Sequence, residues 1–197
     1  MGATMCLVVV ATVTPSDSEL ISRALGGDEM ALDMLVRRHY RAAFSIALAQ
    51  TGSRADAEDA CHDAFLRAAE RLGECRDRER FAFWLGSIVR NRARNMVTRG
   101  ILRRATPLEP HTVAARDDPA RDAEVADLRD RLEAALGVLT TTQREVVLLH
   151  DLDGWTHADI AAAIGTSEGM SRQHLFNARR RLREALGQNT SKEHAHE

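Results

Sequence analysis

The side chains best suited to bind another molecule lie between Met170 and Leu186, where five Arg stand against one Glu. Their spacing predicts a helix from about Glu168 to Leu186. Arg, Gln and Asn share its outer face, and these side chains can pair with base edges in the DNA major groove. That face is formed by Arg172, Gln173, Phe176, Asn177, Arg179, Arg180 and Arg183. The opposite face carries Ser171, Leu175, Ala178, Leu182 and Leu186. The pattern favours DNA binding over a merely solvated helix face.

Two predicted helices precede this one and would position it. Thr140 and Gln143 form the T-x-x-Q pattern of a capping box at the start of the first. Thr156 and Asp159 can cap the second, which is short, and residues 165–167 make a tight turn into the long helix. A short helix, a turn and an amphipathic helix form a helix-turn-helix, whose second helix enters the major groove.

A second basic segment runs from Gly86 to Leu108 and contains no acidic residue. Its Arg residues are Arg90, Arg92, Arg94, Arg99, Arg103 and Arg104. The spacing predicts a helix from Phe81 to about Thr98, with an apolar stripe opposite Arg90, Asn91, Arg94, Asn95 and Thr98. Because the segment offers no acid to neutralise these Arg residues, we interpret their face as a polyanion-binding surface.

Aromatic residues cluster where this helix begins. Phe81, Phe83 and Trp84 follow a polar loop, residues 74–80, that carries Arg76 and Arg78. Aromatic rings beside Arg and Asn suit a pocket for an unstacked base. For Phe81 and Trp84, packing in the hydrophobic core is a better interpretation than a base-binding pocket.

Length and composition limit the class of protein. The chain has 197 residues, of which 44% are apolar and 28% are charged, and this suits one or two small globular domains. The longest apolar stretch, Met5–Val13, is far shorter than the roughly 20 residues of a membrane-spanning helix. A net charge of −2 conceals the two basic segments, which an acidic stretch separates. We expect no membrane insertion.

The sequence offers little support for an enzyme or a metal protein. Three Cys without a C-x-x-C pair fit a reducing compartment, so a cytoplasmic location is expected. Cys61 falls in the apolar register of a helix and is predicted to be a core residue. His150 and His157 are predicted to lie on the surface. No phosphate loop, nucleophile elbow or H-E-x-x-H motif occurs, so we expect no catalytic residue, cofactor, metal or small-molecule substrate.

The chain reads as all-α with two small domains. Helices are predicted over residues 17–25, 29–50, 54–72 and 81–98, in a first domain spanning 17–104. Pro107, Pro110 and Pro119 mark a flexible linker, residues 105–121, and helices resume in a second domain over 122–187. Residues 1–16 and 188–197 are predicted to be a disordered extension and a disordered tail.

Three blocks of this sequence resemble bacterial sigma factors of the extracytoplasmic-function (ECF) subfamily of the sigma-70 family. Residues 56–67 (DAEDACHDAFLR) resemble the family's DAEDVVQEVFLR helix, and residues 81–91 (FAFWLGSIVRN) resemble its FxxWLxxIAxN block. Residues 139–186 resemble its C-terminal helix-turn-helix, including QREV, DIA and ARRRLR. The resemblance covers about residues 18–187, and the three blocks stand in the family's order.

The resemblance implies an alternative sigma factor that binds core RNA polymerase and initiates transcription in a stress or envelope response. Its first domain, sigma region 2, would bind the β′ clamp helices through Asp56, Glu58, Asp59, His62, Asp63 and Arg67. The same domain would melt and read the −10 element, with loop 74–80 capturing a flipped base. The residues implied in −10 binding are Arg76, Arg78, Arg90, Asn91, Arg94 and Asn95.

The second domain, sigma region 4, would dock on the β flap. It would place Arg172, Gln173, Phe176, Asn177, Arg179 and Arg180 in the −35 major groove. An anti-sigma factor that covers both polymerase-binding surfaces is a further implied partner. The family usually has an apolar residue where Ser171 stands and often a basic one at Asn177, so the promoter sequence is left open. The alternative function is a stand-alone helix-turn-helix regulator, which leaves residues 54–104 unexplained.

Overall fold

The computed structural model describes residues 14–104 and 130–193, with side chains over 14–100 and 130–187. Most of the predicted extension, the whole predicted linker and the point near Asp122 where helices were expected to resume lie outside this part. The described elements are helices, and no strand occurs among them. Nor does any helix there have the length and apolar character needed to cross a membrane.

Four helices form the first unit. They are α1 (Asp17–Leu25), α2 (Glu29–Thr51), α3 (Arg54–Glu70) and α4 (Phe81–Arg104), with short 3-10 turns at Leu72–Glu74 and Arg78–Arg80. Side-chain oxygens of Ser16, Asp28 and Ser53 cap α1, α2 and α3 by accepting bonds from backbone N–H groups. Between α2 and α3, Gly52 adopts a left-handed φ of 73°, which other residues rarely take.

The core of the first unit lies where α2, α3 and α4 meet. Small residues of α3, among them Ala57, Cys61 and Ala64, are fully buried and let the neighbouring helices approach closely. Leu35 and Ile46 of α2 and Leu85 of α4 fill the remaining space. The predicted core position of Cys61 is confirmed.

Helices α5–α8 form the second unit. Helix α5 is described over residues 130–137 and is followed by α6 (Thr141–Val147), one π-helical turn (Leu148–Leu152), α7 (His157–Ile164) and α8 (Glu168–Glu193). Both predicted caps are present, at Thr140 and at Thr156, and each is a reciprocal capping box. Gly165 ends α7 with a left-handed φ of 74°, which permits the tight turn into α8. The helix-turn-helix prediction is confirmed.

Several predicted helix details differ from the structure. Helix α3 ends at Glu70, because Leu72 enters the 3-10 turn before Gly73. Helices α4 and α8 continue to Arg104 and Glu193, since no Pro interrupts residues 99–104 or 187–193. The helical spacing of α1 predicts that Leu25 faces inward with Leu20 and Ile21, but Leu25 is 47% exposed because the chain turns away immediately after it. Tyr40 is also exposed and stacks on Phe44 and Phe65 at the surface.

The two units pack against each other. Helix α2 contacts α6 and the π-helical turn, and α4 contacts α7. Arg144 of α6 donates to the Ala49 carbonyl of α2 at 3.0 Å, and Arg41 of α2 donates to the Leu152 carbonyl. This inter-unit contact decides which candidate site residues reach solvent.

Candidate nucleic-acid interface

The outer face of α8 is open. Its exposed residues are Arg172, Gln173, Phe176, Arg179 and Arg180. Phe176 is 59% exposed, which is typical of an apolar side chain on a binding surface. The opposite face is held in the core by Ser171, Leu175 and Ala178. Amphipathic packing therefore fixes which side of α8 faces outward.

Neighbouring acids hold the Arg residues of this face. Arg172 Nη2 lies 2.9 Å from Glu168 Oε2, one helical turn earlier. Arg179 Nη2 lies 2.5 Å from Asp151 Oδ1, and this carboxylate comes from the π-helical turn. Exposed pairs of this kind contribute little stability, so DNA phosphates or bases can compete for the guanidinium groups.

Arg90 was expected to lie on an exposed basic face, but the structure buries its side chain. Its side chain is 9% exposed and pairs with Glu145 of α6, which is 4% exposed. Arg90 Nε lies 2.7 Å from Glu145 Oε1, and Gln50 Nε2 donates to Glu145 Oε2 at 2.9 Å. The interpretation that no acid neutralises this face was wrong for Arg90, because an acid 55 residues away in the chain folds against it.

Other residues predicted to contact the −10 element are more accessible. Asn91, Arg94 and Asn95 are exposed along α4, and Arg94 Nε donates to Gln50 Oε1 at 3.3 Å. Arg76 is exposed on loop 74–80. Arg78 is half-buried, because its Nη1 donates to Ser22 Oγ of α1 at 2.6 Å. The structure thus leaves Arg76, Asn91, Arg94 and Asn95 accessible but ties Arg78 to α1.

The three aromatic residues at the start of α4 have different surroundings. Phe81 is buried, with its ring edge against His39 at 5.1 Å, and Trp84 is half-buried beside it. The core interpretation of Phe81 is confirmed. Phe83 instead packs edge-on against Trp155 of the second unit, 5.5 Å between ring centroids.

The residues predicted to bind polymerase share the outer face of α3. Asp56, Glu58, Asp59, His62 and Arg67 are exposed. Asp63 is half-buried and pairs with Arg92 of α4. An apolar groove of about 200 Å³ lies beside this face, with Leu32, Val36, Phe65 and Leu66 among its lining residues.

Sequence reasoning missed the residues that join the two units. Glu145, Gln50 and Trp155 were not singled out, nor was the contact that Asp153 makes with Arg41, whose Nε lies 2.9 Å from Asp153 Oδ1. The sequence contains one indication that Glu145 is buried. This residue directly precedes the apolar run Val146–Leu149, whose burial would carry Glu145 toward the core. Nothing in the sequence identified its partner.

Histidines 150 and 157 were predicted to be surface residues, and the structure places them together. Their rings stack with centroids 4.6 Å apart, and each is partly buried. Within residues 14–100 and 130–187, no group of three or more metal-ligating side chains is assembled.

Comparisons with known proteins fit this arrangement of helices. The family model for sigma-70 region 2 matches residues 35–101, and that for sigma-70 region 4 matches residues 129–182. The ECF RNA polymerase sigma factor SigM of Mycobacterium tuberculosis is 34% identical over 172 residues, which cover 87% of this chain and 85% of the relative. The chain belongs to the ECF family of RNA polymerase sigma factors.

Other sigma factors show how far the likeness extends. The RNA polymerase sigma-H factor of Pseudomonas aeruginosa is 29% identical, over 86% of this chain and 93% of the relative. Among solved structures, CnrH in complex with the cytosolic domain of CnrY matches with a TM-score of 0.64 at 26% identity, covering 88% of this chain and 98% of CnrH. RpoE of Bartonella quintana, in complex with the anti-sigma factor NepR, shares the fold with a TM-score of 0.59 at 24% identity, covering 79% and 96%.

Proposed function

We propose that this sigma factor contacts polymerase and promoter DNA through separate surfaces on its two helical units, and that these units must part before all of the surfaces are engaged. The chain directs promoter recognition as an alternative sigma factor. The observation that carries the proposal is the order of the two matched sigma regions in one chain, the second with an exposed Arg-rich face on a helix-turn-helix.

Helix α8 is the proposed reader of the −35 element. Its N-terminal half carries exposed Arg172, Gln173 and Phe176, and the tight turn at Gly165 projects that half outward. In helix-turn-helix proteins the first turns of the second helix contact base edges. Arg172 can pair with guanine, Gln173 with adenine, and Phe176 can contact a thymine methyl group. Asn177, Arg179 and Arg180 then face bases or flanking phosphates.

Loop 74–80 and α4 are the proposed −10 surface. Arg76, Asn91, Arg94 and Asn95 are exposed there and can hold a displaced strand. Arg90 and Phe83 belong to the same surface, but the second unit covers them through Glu145 and Trp155. Single-stranded DNA gains access to these two side chains when the second unit moves away. Docking both units on polymerase, with the linker of residues 105–121 between them, would supply that separation.

The outer face of α3 is the proposed contact with the β′ clamp helices, and the second unit docks on the β flap. The exposed charges of α3 lie beside an apolar groove whose lining includes His62, an arrangement that suits the face of a partner helix. Tethering both units to one polymerase raises the effective concentration of two DNA surfaces that are individually weak.

An anti-sigma factor is a proposed further partner. The support is the likeness to CnrH, whose solved structure includes the cytosolic domain of CnrY. Affinity purification of the tagged sigma factor from unstressed cells should recover such a regulator together with polymerase. Repeated recovery of polymerase alone would contradict this part of the proposal. The sigma factor is proposed to be cytoplasmic and without catalytic activity of its own.

Two charge substitutions should distinguish the role of the polymerase-binding surface from that of the −35 surface. Asp59→Arg reverses an exposed charge on α3 and should weaken core polymerase binding at least fivefold, because like charges then meet across the contact. Arg172→Ala should leave polymerase binding unchanged and lower −35 recognition about fivefold or more. Surface plasmon resonance with core polymerase measures the first effect, and holoenzyme binding to promoter duplexes measures the second.

The two variants serve as controls for each other, because both positions are exposed and neither side chain supports the core. Loss of polymerase binding in Arg172→Ala would show that the two surfaces are misassigned. Normal affinity in Asp59→Arg would exclude α3 as the polymerase contact.

A further inference from the structure

Ser171 is a polar residue in the buried stripe of the recognition helix. Its side chain is fully buried, between helix neighbours that are packed in the core. A buried hydroxyl without a hydrogen-bond partner is costly in free energy, and Ser171 has such a partner. That partner is His157, the first residue of α7, whose Nδ1 lies 3.0 Å from Ser171 Oγ.

The contact continues from His157 back to α8. The ring of His157 stacks on that of His150 with 4.6 Å between centroids and 28° between planes. His150 Nδ1 lies 2.9 Å from Asp151 Oδ1, and the Asp151 carboxylate receives both Nη2 and Nε of Arg179, at 2.5 and 3.1 Å. A continuous chain of contacts therefore begins at Ser171 and ends at Arg179.

Both ends of this chain lie on α8, eight residues or about 12 Å apart. One end is inside the core, and the other is a side chain proposed to reach the −35 groove. The middle belongs to α7 and the π-helical turn, which are the body of the helix-turn-helix. Because the recognition helix is fastened to that body at two points, its tilt and the direction of Arg179 are linked to the histidine pair.

We propose that His157 and Ser171 are positioning residues for −35 recognition. Their hydrogen bond and its continuation through His150 and Asp151 set how α8 presents Arg179, and protonation of His157 releases this arrangement. The proposal rests on the proposed −35 role of α8 and adds to it a pH-dependent control that is specific to these side chains.

The charges around His157 make its protonation unfavourable in the folded arrangement. Burial lowers the pKa of His157, and the nearby His150 and Arg172 lower it further. Arg179 acts in the same direction, and Glu168 opposes it. The remaining carboxylates of these elements are engaged elsewhere, Asp151 with Arg179 and Asp159 in the α7 capping box.

The direction of the pH effect follows from linkage. Because the folded-state pKa of His157 lies below the unfolded value of 6.5, this histidine favours the folded arrangement fully above pH 6.5. That contribution is lost as the pH falls below 6.5 toward the folded-state pKa. Acidification should therefore loosen the first turn of α8 before it unfolds the protein.

The first arm of the test uses the full chain without DNA. Histidine-ring NMR of the 15N-labelled protein should show His157 titrating below the ordinary value of about 6.5. Ser171→Ala should raise that midpoint, because a Ser171 hydroxyl that donates to the Nδ1 lone pair of His157 stabilises the neutral ring. His150→Gln should raise it as well, because His150 lowers the pKa of His157. Midpoints that stay the same in both variants would overturn the proposed coupling.

The second arm uses holoenzyme and two synthetic duplexes, one with the promoter found by run-off transcription and one with its upstream element scrambled. Ser171→Ala should lower affinity for the promoter duplex about fivefold and leave the scrambled duplex unchanged. Wild-type affinity should be at least twofold lower at pH 5.5 than at pH 8.0, and His157→Gln should remove much of this difference. His174→Gln, also on α8 but outside the chain of contacts, should retain it.

Equal losses on both duplexes in Ser171→Ala would overturn the positioning role and point to general destabilisation. An unchanged pH profile in His157→Gln would overturn the control by protonation. If wild-type holoenzyme started no transcript at all, the proposed −35 role would fail instead, while the NMR arm would still decide whether the histidine pair and Ser171 are coupled.

Discussion

Cys61 lies at the centre of the first helical unit, where none of its surface reaches solvent. Burial raises the pKa of its thiol to about 12, and the neighbouring Glu58 adds to the shift. Cys75 is also buried, and burial raises the pKa of its thiol too. Since the thiolate is the species that reacts with oxidants and alkylating agents, neither side chain is suited to redox sensing in the folded protein.

We therefore expect Cys61 to resist alkylation in the native state. Iodoacetamide at pH 7.5, followed by peptide mass spectrometry, should modify Cys61 at least tenfold more slowly in the folded chain than in 6 M guanidinium, because the folded thiol carries almost no thiolate. The denatured sample is the matched control for the intrinsic reactivity of the same peptide. Equal rates in the two samples would contradict both the burial of Cys61 and its raised pKa.

At the scale of single elements, capping decides where the helix-turn-helix begins. Thr140 accepts the N–H of Gln143 through its side chain, and the Gln143 side chain accepts the N–H of Thr140 in return. These reciprocal bonds satisfy two donors that have no partner within α6. By fixing where α6 begins, the cap also determines which way its side chains point. Glu145 then faces Arg90, and Val146 faces the core.

Thr140→Ala should remove one of these bonds and cost about 1 kcal/mol of stability. For a chain of this size, that cost corresponds to a decrease in Tm of roughly 2–4 °C. Thr141→Ala is the matched control, because Thr141 is the next residue along the chain, is exposed and does not cap the helix. Differential scanning calorimetry should show a shift for Thr140→Ala alone, and equal shifts in both variants would argue against the capping role.

In the whole molecule, the contact between the two helical units could not be predicted from the sequence. Caps, turns and helix faces depend on neighbours three or four residues away, so Thr140, Thr156 and the stripes of α8 were predictable from local pattern. Arg90 and Glu145 are 55 residues apart, and their meeting depends on how two helical units pack. The open face predicted for Arg90 was wrong for this reason.

The Arg90–Glu145 pair leads to a prediction about the closed arrangement. Removing one partner of a buried ion pair leaves the other charge uncompensated, so Glu145→Gln should favour separation of the units. Fluorescence transfer between dyes on the two units should fall, and affinity for a single-stranded −10 oligonucleotide should rise about threefold or more as Arg90 becomes free. Glu184→Gln is the control, because Glu184 is exposed and 3.9 Å from Arg180 within α8. If Glu145→Gln and Glu184→Gln behaved alike, Glu145 would have no part in holding the units together.

A sigma factor gives core RNA polymerase its promoter specificity, and run-off transcription on fragmented genomic DNA of the host measures whether this chain does so. Core polymerase alone is the control. With the sigma factor added, we predict new start sites that share paired elements near −10 and −35, and these starts should be lost with Asp59→Arg. If the start sites were the same with and without the protein, and the protein did not bind core polymerase, the chain would not act as a sigma factor.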